Sequence, residues 1–255
     1  MDKVRQVMRV KHYSIHTERT YSGWIRKYVK FHKMRDKSEL SVDPEAKVEA
    51  FLSFLAIQRN VAVSTQNQAM NALVFLYKQV LEKPLEKRID AVRSTKNRRI
   101  PVVLTQDEVK QVITLMDGVH QLIVKLLYGS GLRITETVRL RVQDIDFDYK
   151  QITVRSGKGH KDRVTTFPAS IEHPLKTYLQ KTKMIHQQDL KEGFGTVYLP
   201  HALSRKYPAA EKEWNWQFVF PAKALSVDPR SKIRRRHHLD QSAINKAIKA
   251  TVRKI

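Results

Sequence analysis

The stretch that decides the fold is GSGLRITETVRLRVQDIDFDYKQITVRSGKGHKDRVTTFP, residues 129–168. Two glycines close an apolar helix there, and a short helix carrying Arg133 and Glu136 follows. The segments QITVRS and DRVTTFP flank a turn that contains Lys158, which predicts an antiparallel pair of strands. The stretch therefore brings a guanidinium, a carboxylate and an ammonium group into one compact segment.

The whole chain is strongly basic. Its 255 residues include 48 Lys and Arg against 25 Asp and Glu, a formal net charge of +23. Such an excess favours a polyanionic partner, and nucleic acid is the commonest polyanion that proteins bind. A ribosomal-type protein or a merely soluble basic protein is the alternative that charge alone leaves open.

The sequence also limits the compartment and the chemistry. It has no cysteine, which excludes disulfides, thiolate nucleophiles and Cys-ligated zinc. The N-terminus lacks the apolar region of a signal peptide, and no run approaches the roughly 18 apolar residues of a membrane span. We therefore expect a soluble protein of the cytoplasm or nucleoid, with no membrane partner.

Helical periodicity organises residues 1–84. An apolar and aromatic stripe runs from Tyr21 to Val29, and we interpret its aromatic rings as core rather than as platforms for stacked bases. Asp43 and Pro44 supply an N-cap and a proline at the first helical position. With the later apolar stripes, these signals predict a bundle of four helices that ends near residue 84.

The helical periodicity stops at residue 85, and a second domain follows. Residues 85–101 gain basic side chains between prolines, which predicts an extended basic linker. Such a segment also suits a phosphate backbone, so a spacer and a DNA strap both remain open. Residues 102–255 form the second domain and begin with a Thr105–Glu108 capping box. The fold class predicted for the chain is α+β, mainly α-helical with a small antiparallel β-sheet.

Two segments near the C-terminus depart from this pattern. Residues 190–221 hold three of the nine prolines and two of the three tryptophans without a long periodicity, which indicates an insert in the second domain. A last helical stripe, from Ile244 to Ile255, is still apolar at the final residue and has no cap. We expect the polypeptide to end before its fold does, which leaves that stripe exposed and prone to fraying.

Arg133, Glu136 and Lys158 are the candidate catalytic residues. A guanidinium at a helix N-terminus suits a phosphate, because its fork donates twice and backbone N–H groups add positive potential. Glu136 lies three residues on and can orient the arginine. A lysine in a turn can contact a phosphate or donate a proton to a leaving oxygen. The alternative is a surface Arg–Glu pair beside a solvated lysine.

Metal chemistry has little support in the sequence. Asp144, Asp146 and Asp148 alternate as ligands on one strand face would, but aspartates in such a strand–turn are more often caps that face solvent. His237 and His238 are adjacent and lack the i, i+4 spacing of a helical zinc pair. We expect no metal and no cofactor.

Several of these segments resemble one family. LLYGSGLRITE at 126–136 and GKGHKDR at 157–163 resemble the tyrosine recombinase (phage integrase) family. The resemblance implies that the four N-terminal helices form the family's core-binding, SAM-like domain, and that residues 102–255 form an incomplete catalytic domain. The insert, followed by DPRSKIRRRHHL at 228–239, is similar to the integron integrases.

This resemblance implies an enzyme of site-specific DNA recombination and integration. Such enzymes break and rejoin DNA through a phosphotyrosine link without a metal. Arg133 would be the first catalytic arginine, Glu136 its acidic companion and Lys158 the general acid to the leaving 5′-oxygen. The resemblance implies a homo-oligomer, a tetramer on DNA, but we expect these 255 residues to lack the C-terminal helix that docks on the next protomer in the family.

The integron likeness implies two kinds of DNA partner, namely folded single-stranded cassette sites with extrahelical bases and duplex sites. Trp216 or Trp214 could stack on such a base, and His237 and His238 could enclose one. The alternative is that both tryptophans fill the core of the insert. The predicted DNA-binding residues of this region are Trp214, Trp216, Arg235, Arg236, His237 and His238.

The chain departs from the family in its C-terminal region. The family requires a downstream H-x-x-R and a nucleophilic tyrosine, but neither His237 nor His238 begins such a motif, and the last tyrosine is Tyr207. We therefore expect a C-terminally truncated recombinase that binds DNA and is inactive alone. Two alternatives stay open: a resolvase-type tyrosine recombinase acting on duplex sites, and a non-catalytic DNA-binding regulator or dominant-negative remnant.

Overall fold

The computed structural model describes residues 1–95, 102–155, 161–199 and 201–255. Contacts divide the chain into two compact units, Met1–Pro101 and Val102–Ile255. These are called the N-terminal and C-terminal units below. No helix within the described ranges combines the length and the apolar character needed to cross a bilayer.

Four α-helices form the N-terminal unit, as the apolar stripes predict. They are α1 (Asp2–Val10), α2 (Ile15–Phe31), α3 (Pro44–Ile57) and α4 (Val63–Phe75), which continues into a π-helical turn, Leu76–Val80. Ser14 starts α2 by accepting the Thr17 N–H at 3.1 Å. Asp43 occupies the N-cap position of α3 with φ 44°, but its side chain makes no capping hydrogen bond.

Aromatic side chains fill the core between these helices. Trp24 and Tyr28 of α2 are buried, which confirms the interpretation of their stripe as core. The Tyr28 and Tyr77 hydroxyls are 2.8 Å apart, and Tyr77 donates to the Leu40 carbonyl at 3.0 Å. Each buried hydroxyl therefore has a partner, as a buried polar group requires.

Residues 85–95 are extended, but they dock on the N-terminal unit instead of standing free as a spacer. Three of their backbone N–H groups donate to side chains spaced four residues apart on α3, which share one helical face. The pairs are Glu86 with Glu45, Asp90 with Glu49, and Val92 with Ser53, at 2.7–3.0 Å. Ile89 and Ala91 of the same segment are buried in the core. The rest of the predicted linker lies outside the described residues.

The C-terminal unit begins with three helices, α5 (Gln106–Leu115), α6 (Gly118–Ser130) and α7 (Ile134–Arg139). The predicted capping box is present at α5. Thr105 Oγ accepts the Glu108 N–H at 3.2 Å, while Glu108 accepts the Thr105 N–H at 2.7 Å. Gly131 ends α6 with φ 62°, a left-handed conformation that suits glycine.

A three-stranded antiparallel sheet follows α7. Its strands lie in the order β1 (Ile145–Asp146), β2 (Gln151–Val154) and β3 (Arg163–Thr166). Ile152 pairs with Thr165, so β2 and β3 confirm the predicted strand pair. Ile152 and Val154 are buried in the main core of the unit. The turn at 157–159 lies outside the described residues.

The insert follows the long helix α8 (Glu172–Lys191). It contains the short helix α9 (His201–Lys206) and two 3-10 turns, Ala210–Lys212 and Trp214–Trp216. A small core of its own holds it together, formed by Val197, Leu199, Ala210 and Phe218. An antiparallel hairpin of β4 (Pro221–Val227) and β5 (Arg234–His238) comes next, and the sequence patterns do not predict it.

The last helix, α10 (Gln241–Val252), packs on α5, α6 and α7. Ile244 is buried in the main core and Ile248 is partly buried against it, so the expectation that the whole apolar stripe is exposed is wrong. Val252 and Ile255, at the end of the stripe, are exposed. The described chain is mainly α-helical with small antiparallel sheets, which confirms the predicted fold class.

Candidate functional site

Arg133 stands at the N-cap of α7 in an extended conformation. Glu136 accepts two hydrogen bonds from it, one from the backbone N–H to Oε2 and one from guanidinium Nη1 to Oε1, both at 2.8 Å. The i, i+3 spacing brings the carboxylate back to the start of the helix, as in a capping box. Glu136 therefore orients Arg133, as the spacing predicts.

A second arginine, Arg163, completes this cluster and is not identified by the sequence reasoning. It is the first residue of β3. Its Nη1 and Nη2 atoms donate to Glu136 Oε1 and Oε2 at 2.9 and 2.7 Å. The Glu136 carboxylate, whose side chain is 9% exposed, thus lies between two guanidinium groups. We call Arg133, Glu136 and Arg163 the arginine cluster.

The pairing fixes the charge of the arginine cluster. Hydrogen bonds from Arg163, and then from Arg133, lower the pKa of Glu136 to about 2. The same pairing raises the pKa of Arg163. One carboxylate between two guanidinium groups leaves a net positive charge, and the Arg133 side chain is 55% exposed. The cluster can therefore bind a phosphate while Glu136 stays ionised.

Lys158, the predicted general acid, lies outside the described residues, and its role stays a prediction. The strands on either side of it are described. Arg163 of β3 belongs to the arginine cluster, while Arg155, just after β2, donates from Nε to Asp144 Oδ1 at 2.7 Å. An ion pair thus joins β3 to α7, and a second joins the end of β2 to Asp144, which follows α7 in the chain.

The alternating aspartates serve local structure. Asp144 is buried and accepts the backbone N–H of Arg141 at 2.9 Å. Asp146 Oδ1 accepts the N–H groups of Asp148 and Tyr149 at 3.0 and 2.9 Å. Asp146 thus has the solvent-facing capping role that the sequence favours, whereas Asp144 caps its turn from a buried position. Within the described ranges, no group of three or more His, Asp or Glu side chains is placed to hold a metal ion.

The two tryptophans of the insert have different surroundings. Trp214 is half-buried against the main core of the C-terminal unit, with its ring 5.9 Å from that of His186. Trp216 is half-buried against the insert's own core. Each indole is packed in part and exposed in part, which is compatible with both predicted roles, filling the core and stacking on a base.

His237 and His238 lie at the end of β5 beside Phe218. Their rings are 5.4 and 5.2 Å from the Phe218 ring and 4.0 Å from each other. Burial lowers the pKa of His237 and lowers that of His238 to about 4. The His238 imidazole is therefore neutral at pH 7. The Nδ1–H of His238 donates to the Leu239 carbonyl at 2.8 Å.

Arg235 and Arg236 are used within the protein. Arg236 donates from Nε and Nη2 to the two carboxylate oxygens of Asp189 at 2.5 and 2.7 Å, which ties β5 to α8. Arg235 is 5% exposed and donates to the Ser231 hydroxyl at 2.7 Å. Both guanidinium groups thus stabilise the hairpin, and their assignment as DNA-binding residues stays a prediction.

Two family descriptions match the chain, one for each unit. Residues 1–87 match the phage integrase N-terminal SAM-like domain, and residues 102–255 match the phage integrase family. An integrase/recombinase from Escherichia coli is 43% identical over 252 residues, covering 99% of this chain and 74% of that relative. A tyrosine recombinase XerA from Thermococcus onnurineus (strain NA1) is 32% identical over 172 residues, covering 66% of this chain and 56% of that protein.

A solved structure shares the fold. The site-specific recombinase XerH, bound to difH substrate in a pre-cleavage complex, gives a TM-score of 0.56 at 17% identity, over 98% of this chain and 68% of that one. At that identity the likeness concerns the fold alone. The matches to the sequence family span both units and include the arginine cluster. The chain therefore belongs to the phage integrase family of tyrosine recombinases, which carry out site-specific DNA recombination.

Proposed function

We propose that the chain binds integron cassette sites as folded single strands, by holding bases that project from the hairpin stem, and that it also binds duplex sites. The observation that carries this proposal is a cluster of Trp216, Phe218, His237 and His238, called the aromatic cluster below. His237 is exposed, and Trp216 and His238 are half-exposed. The cluster thus combines the buried ring of Phe218 with three rings that solvent can reach.

The rings of the aromatic cluster support a base as its ligand. Burial lowers the pKa of His238 to about 4 and keeps its imidazole neutral at pH 7, and a neutral ring can stack on a base or hydrogen-bond to it without attracting the phosphate backbone. The Nδ1–H of His238 donates to the Leu239 carbonyl. In the neutral ring Nε2 therefore carries no proton and can accept a hydrogen bond from a base N–H. Stacking of a base on an aromatic side chain contributes about 1–3 kcal/mol per base.

We also propose that the arginine cluster receives the phosphate that the family cleaves. Arg133 would donate its exposed fork to the phosphate, with Glu136 as the acidic companion that orients it. Donors fixed before the reaction stabilise the charge that develops on the phosphorane. Lys158, which lies between β2 and β3 in the sequence, would supply the proton to the leaving 5′-oxygen.

The 255 residues by themselves are proposed to bind DNA without a covalent link. Tyr207, the last tyrosine, belongs to the insert rather than to a helix after a downstream H-x-x-R. A suicide substrate with a nick at the site tests this, because a recombinase that attacks it becomes trapped as a protein–DNA adduct. We expect no adduct, and an adduct formed by these residues would contradict binding without cleavage.

The substrate preference is tested with three DNAs of one sequence: a folded strand with extrahelical bases, the same hairpin with those bases deleted, and the duplex. We expect the bulged hairpin to bind about tenfold more tightly than the hairpin without bulges. Trp216→Ala should abolish the difference, whereas the matched control Trp214→Ala should retain it. Equal or weaker binding of the bulged strand would favour a resolvase-type recombinase of duplex sites instead.

A regulator or dominant-negative remnant is distinguished by a fusion. These residues would be joined to a C-terminal segment of a relative that contains the H-x-x-R and the tyrosine. We expect strand transfer from the fusion, because the arginine cluster is assembled. Site occupancy without strand transfer would favour the regulator.

A further inference from the structure

Arg141 links the helix that carries the arginine cluster to the insert. It lies two residues after the end of α7. Its backbone N–H donates to Asp144 Oδ2 at 2.9 Å, and Asp144 Oδ1 accepts Arg155 Nε at 2.7 Å. The main chain of Arg141 is therefore held by the same carboxylate that holds the end of β2. This fixes the base of its side chain close to the segment of the arginine cluster.

The guanidinium of Arg141 reaches two separate parts of the insert. Nη1 donates to the Trp216 carbonyl at 2.5 Å, and Nη2 donates to the Tyr198 carbonyl at 2.8 Å. The group also lies over the Phe218 ring, 4.7 Å from its centroid. One side chain thus joins an early and a late segment of the insert and stacks on the centre of the aromatic cluster.

Two backbone hydrogen bonds accompany the side-chain contacts of Arg141. Val142 N–H donates to the Gln217 carbonyl at 3.0 Å, and Val219 N–H donates to the Leu140 carbonyl at 2.9 Å. They pair the main chain on both sides of Arg141 with the main chain on both sides of Phe218. The late segment of the insert is therefore attached to the end of α7 by backbone and side chain together.

An arginine is required for this geometry. A planar guanidinium donates along fixed directions to two carbonyls at once, whereas a lysine ammonium is a single point charge on a flexible stem. The insert has little regular structure of its own around Trp216, apart from one 3-10 turn. The Trp216 carbonyl, at the end of this turn, accepts its hydrogen bond from Arg141, which lies outside the insert.

We infer that Arg141 is a positioning residue that fixes the Trp216 main chain relative to α7, and so sets where the aromatic cluster presents a base. Its hydrogen bond to the Trp216 carbonyl fixes the main chain of Trp216 directly. Its stacking on Phe218 fixes the buried ring of the aromatic cluster. The substrate part of this inference rests on the proposed recognition of extrahelical bases. The positioning part concerns the protein alone and is measured without DNA.

The first experiment uses the full chain with Trp24→Phe and Trp214→Phe, which leaves Trp216 as the single indole. Adding Arg141→Lys keeps the charge but removes the fork. We expect red-shifted Trp216 emission and a larger acrylamide quenching constant, with unchanged far-UV circular dichroism. Arg205→Lys, at an exposed position of α9 in the same insert, is the matched control and should change neither quantity. If Arg141→Lys does not fold, the neutral Arg141→Gln replaces it, because it removes the buried charge together with the fork.

The second experiment measures binding of Arg141→Lys to the bulged and unbulged hairpins. We expect the roughly tenfold preference of the parent to disappear, while affinity for the unbulged hairpin is retained because the net charge is the same. Unchanged Trp216 emission and quenching would overturn the inference, whatever the DNA results. A parent chain with no preference for bulged DNA would sink the proposed function alone, since the fluorescence result still decides the role of Arg141.

Discussion

Arg133 and Arg236 are both bonded to a carboxylate, yet their guanidinium groups are used differently. Glu136 receives one guanidinium nitrogen of Arg133 and two of Arg163, and the Arg133 side chain remains 55% exposed. Asp189 receives two nitrogens of Arg236, whose side chain is 18% exposed. The third nitrogen of Arg236 donates to the carbonyls of β4.

The comparison shows that arginines in a basic run of the sequence can be bonded within the fold. The run at 234–236 is the densest group of arginines in the C-terminal unit, and two of its members point their donors into the protein. Arg133 has fewer basic neighbours in the sequence, but its guanidinium donates through Nη1 to Glu136 and its side chain is 55% exposed. What decides the availability of a guanidinium is how many of its donors the fold already uses.

The largest predicted effect concerns the buried pair. Arg236→Met should lower the free energy of unfolding of the C-terminal unit by about 3–5 kcal/mol, because it leaves the Asp189 carboxylate, 6% exposed, without its partner. Arg133→Met should cost less than about 1 kcal/mol, since that arginine is half in solvent. Urea unfolding followed by Trp214 and Trp216 fluorescence, with Trp24→Phe as the background, measures both.

A double variant is the control for the buried pair. Asp189→Leu combined with Arg236→Met removes both charges, and we expect it to recover most of the stability lost by the single variant. Equal losses of unfolding free energy for Arg133→Met and Arg236→Met would contradict the distinction between an arginine that faces solvent and one that is bonded within the protein. Failure of the double variant to recover would mean that Arg236 acts mainly through its bonds to the β4 carbonyls.

The second prediction concerns the pH dependence of the arginine cluster. The folded-state pKa of Glu136, about 2, lies below the ordinary glutamate value. Its contribution is therefore complete above about pH 4.5 and is lost as the pH falls toward 2. At pH 7 we expect Glu136→Gln to cost at most about 3 kcal/mol, the equivalent of the pKa difference. The gap in unfolding free energy between parent and variant should narrow at pH 4 and again at pH 3.

Arg163→Gln sharpens this prediction. It removes the partner with the largest effect on the pKa of Glu136, so that pKa should rise. The pH range in which the stabilisation by Glu136 is lost should therefore move upward. Arg133→Gln should move it less, because Arg133 donates one side-chain hydrogen bond where Arg163 donates two. A gap between parent and Glu136→Gln that is independent of pH would show that Glu136 acts through packing and not through its charge.

The sequence predicts contacts between neighbours better than contacts that depend on register. The Arg133–Glu136 pair follows from i, i+3 spacing, and the β2–β3 pairing follows from the turn signal at 157–159. Arg163 joins the cluster because of where β3 starts in its pairing with β2, and no local pattern carries that information. The Asp189–Arg236 pair joins residues 47 positions apart, so it requires the packing of β5 on α8.

The sequence does not predict the partners of two segments, for physical reasons. RRRHH at 234–238 has no β-branched residue and reads as a charge run, yet β4 gives it a strand partner. Residues 85–95 lack an apolar stripe and read as a linker, but α3 supplies acceptors for their N–H groups. In both segments a neighbouring element provides the hydrogen bonds that fix the conformation.

The smallest predicted effect is on the salt dependence of duplex binding. Each contact to a phosphate that a mutation removes should reduce the magnitude of the slope of log affinity against log salt concentration by about 0.9. We expect that reduction for Arg133→Gln, because its exposed fork is open to a phosphate. Arg236→Gln removes the same charge but should leave the slope unchanged, because both of its guanidinium edges are bonded within the protein. Fluorescence anisotropy between about 50 and 200 mM salt measures the two slopes. An equal reduction for both variants would restore the prediction that Arg236 binds DNA, and would mean that its pair with Asp189 opens when DNA is bound.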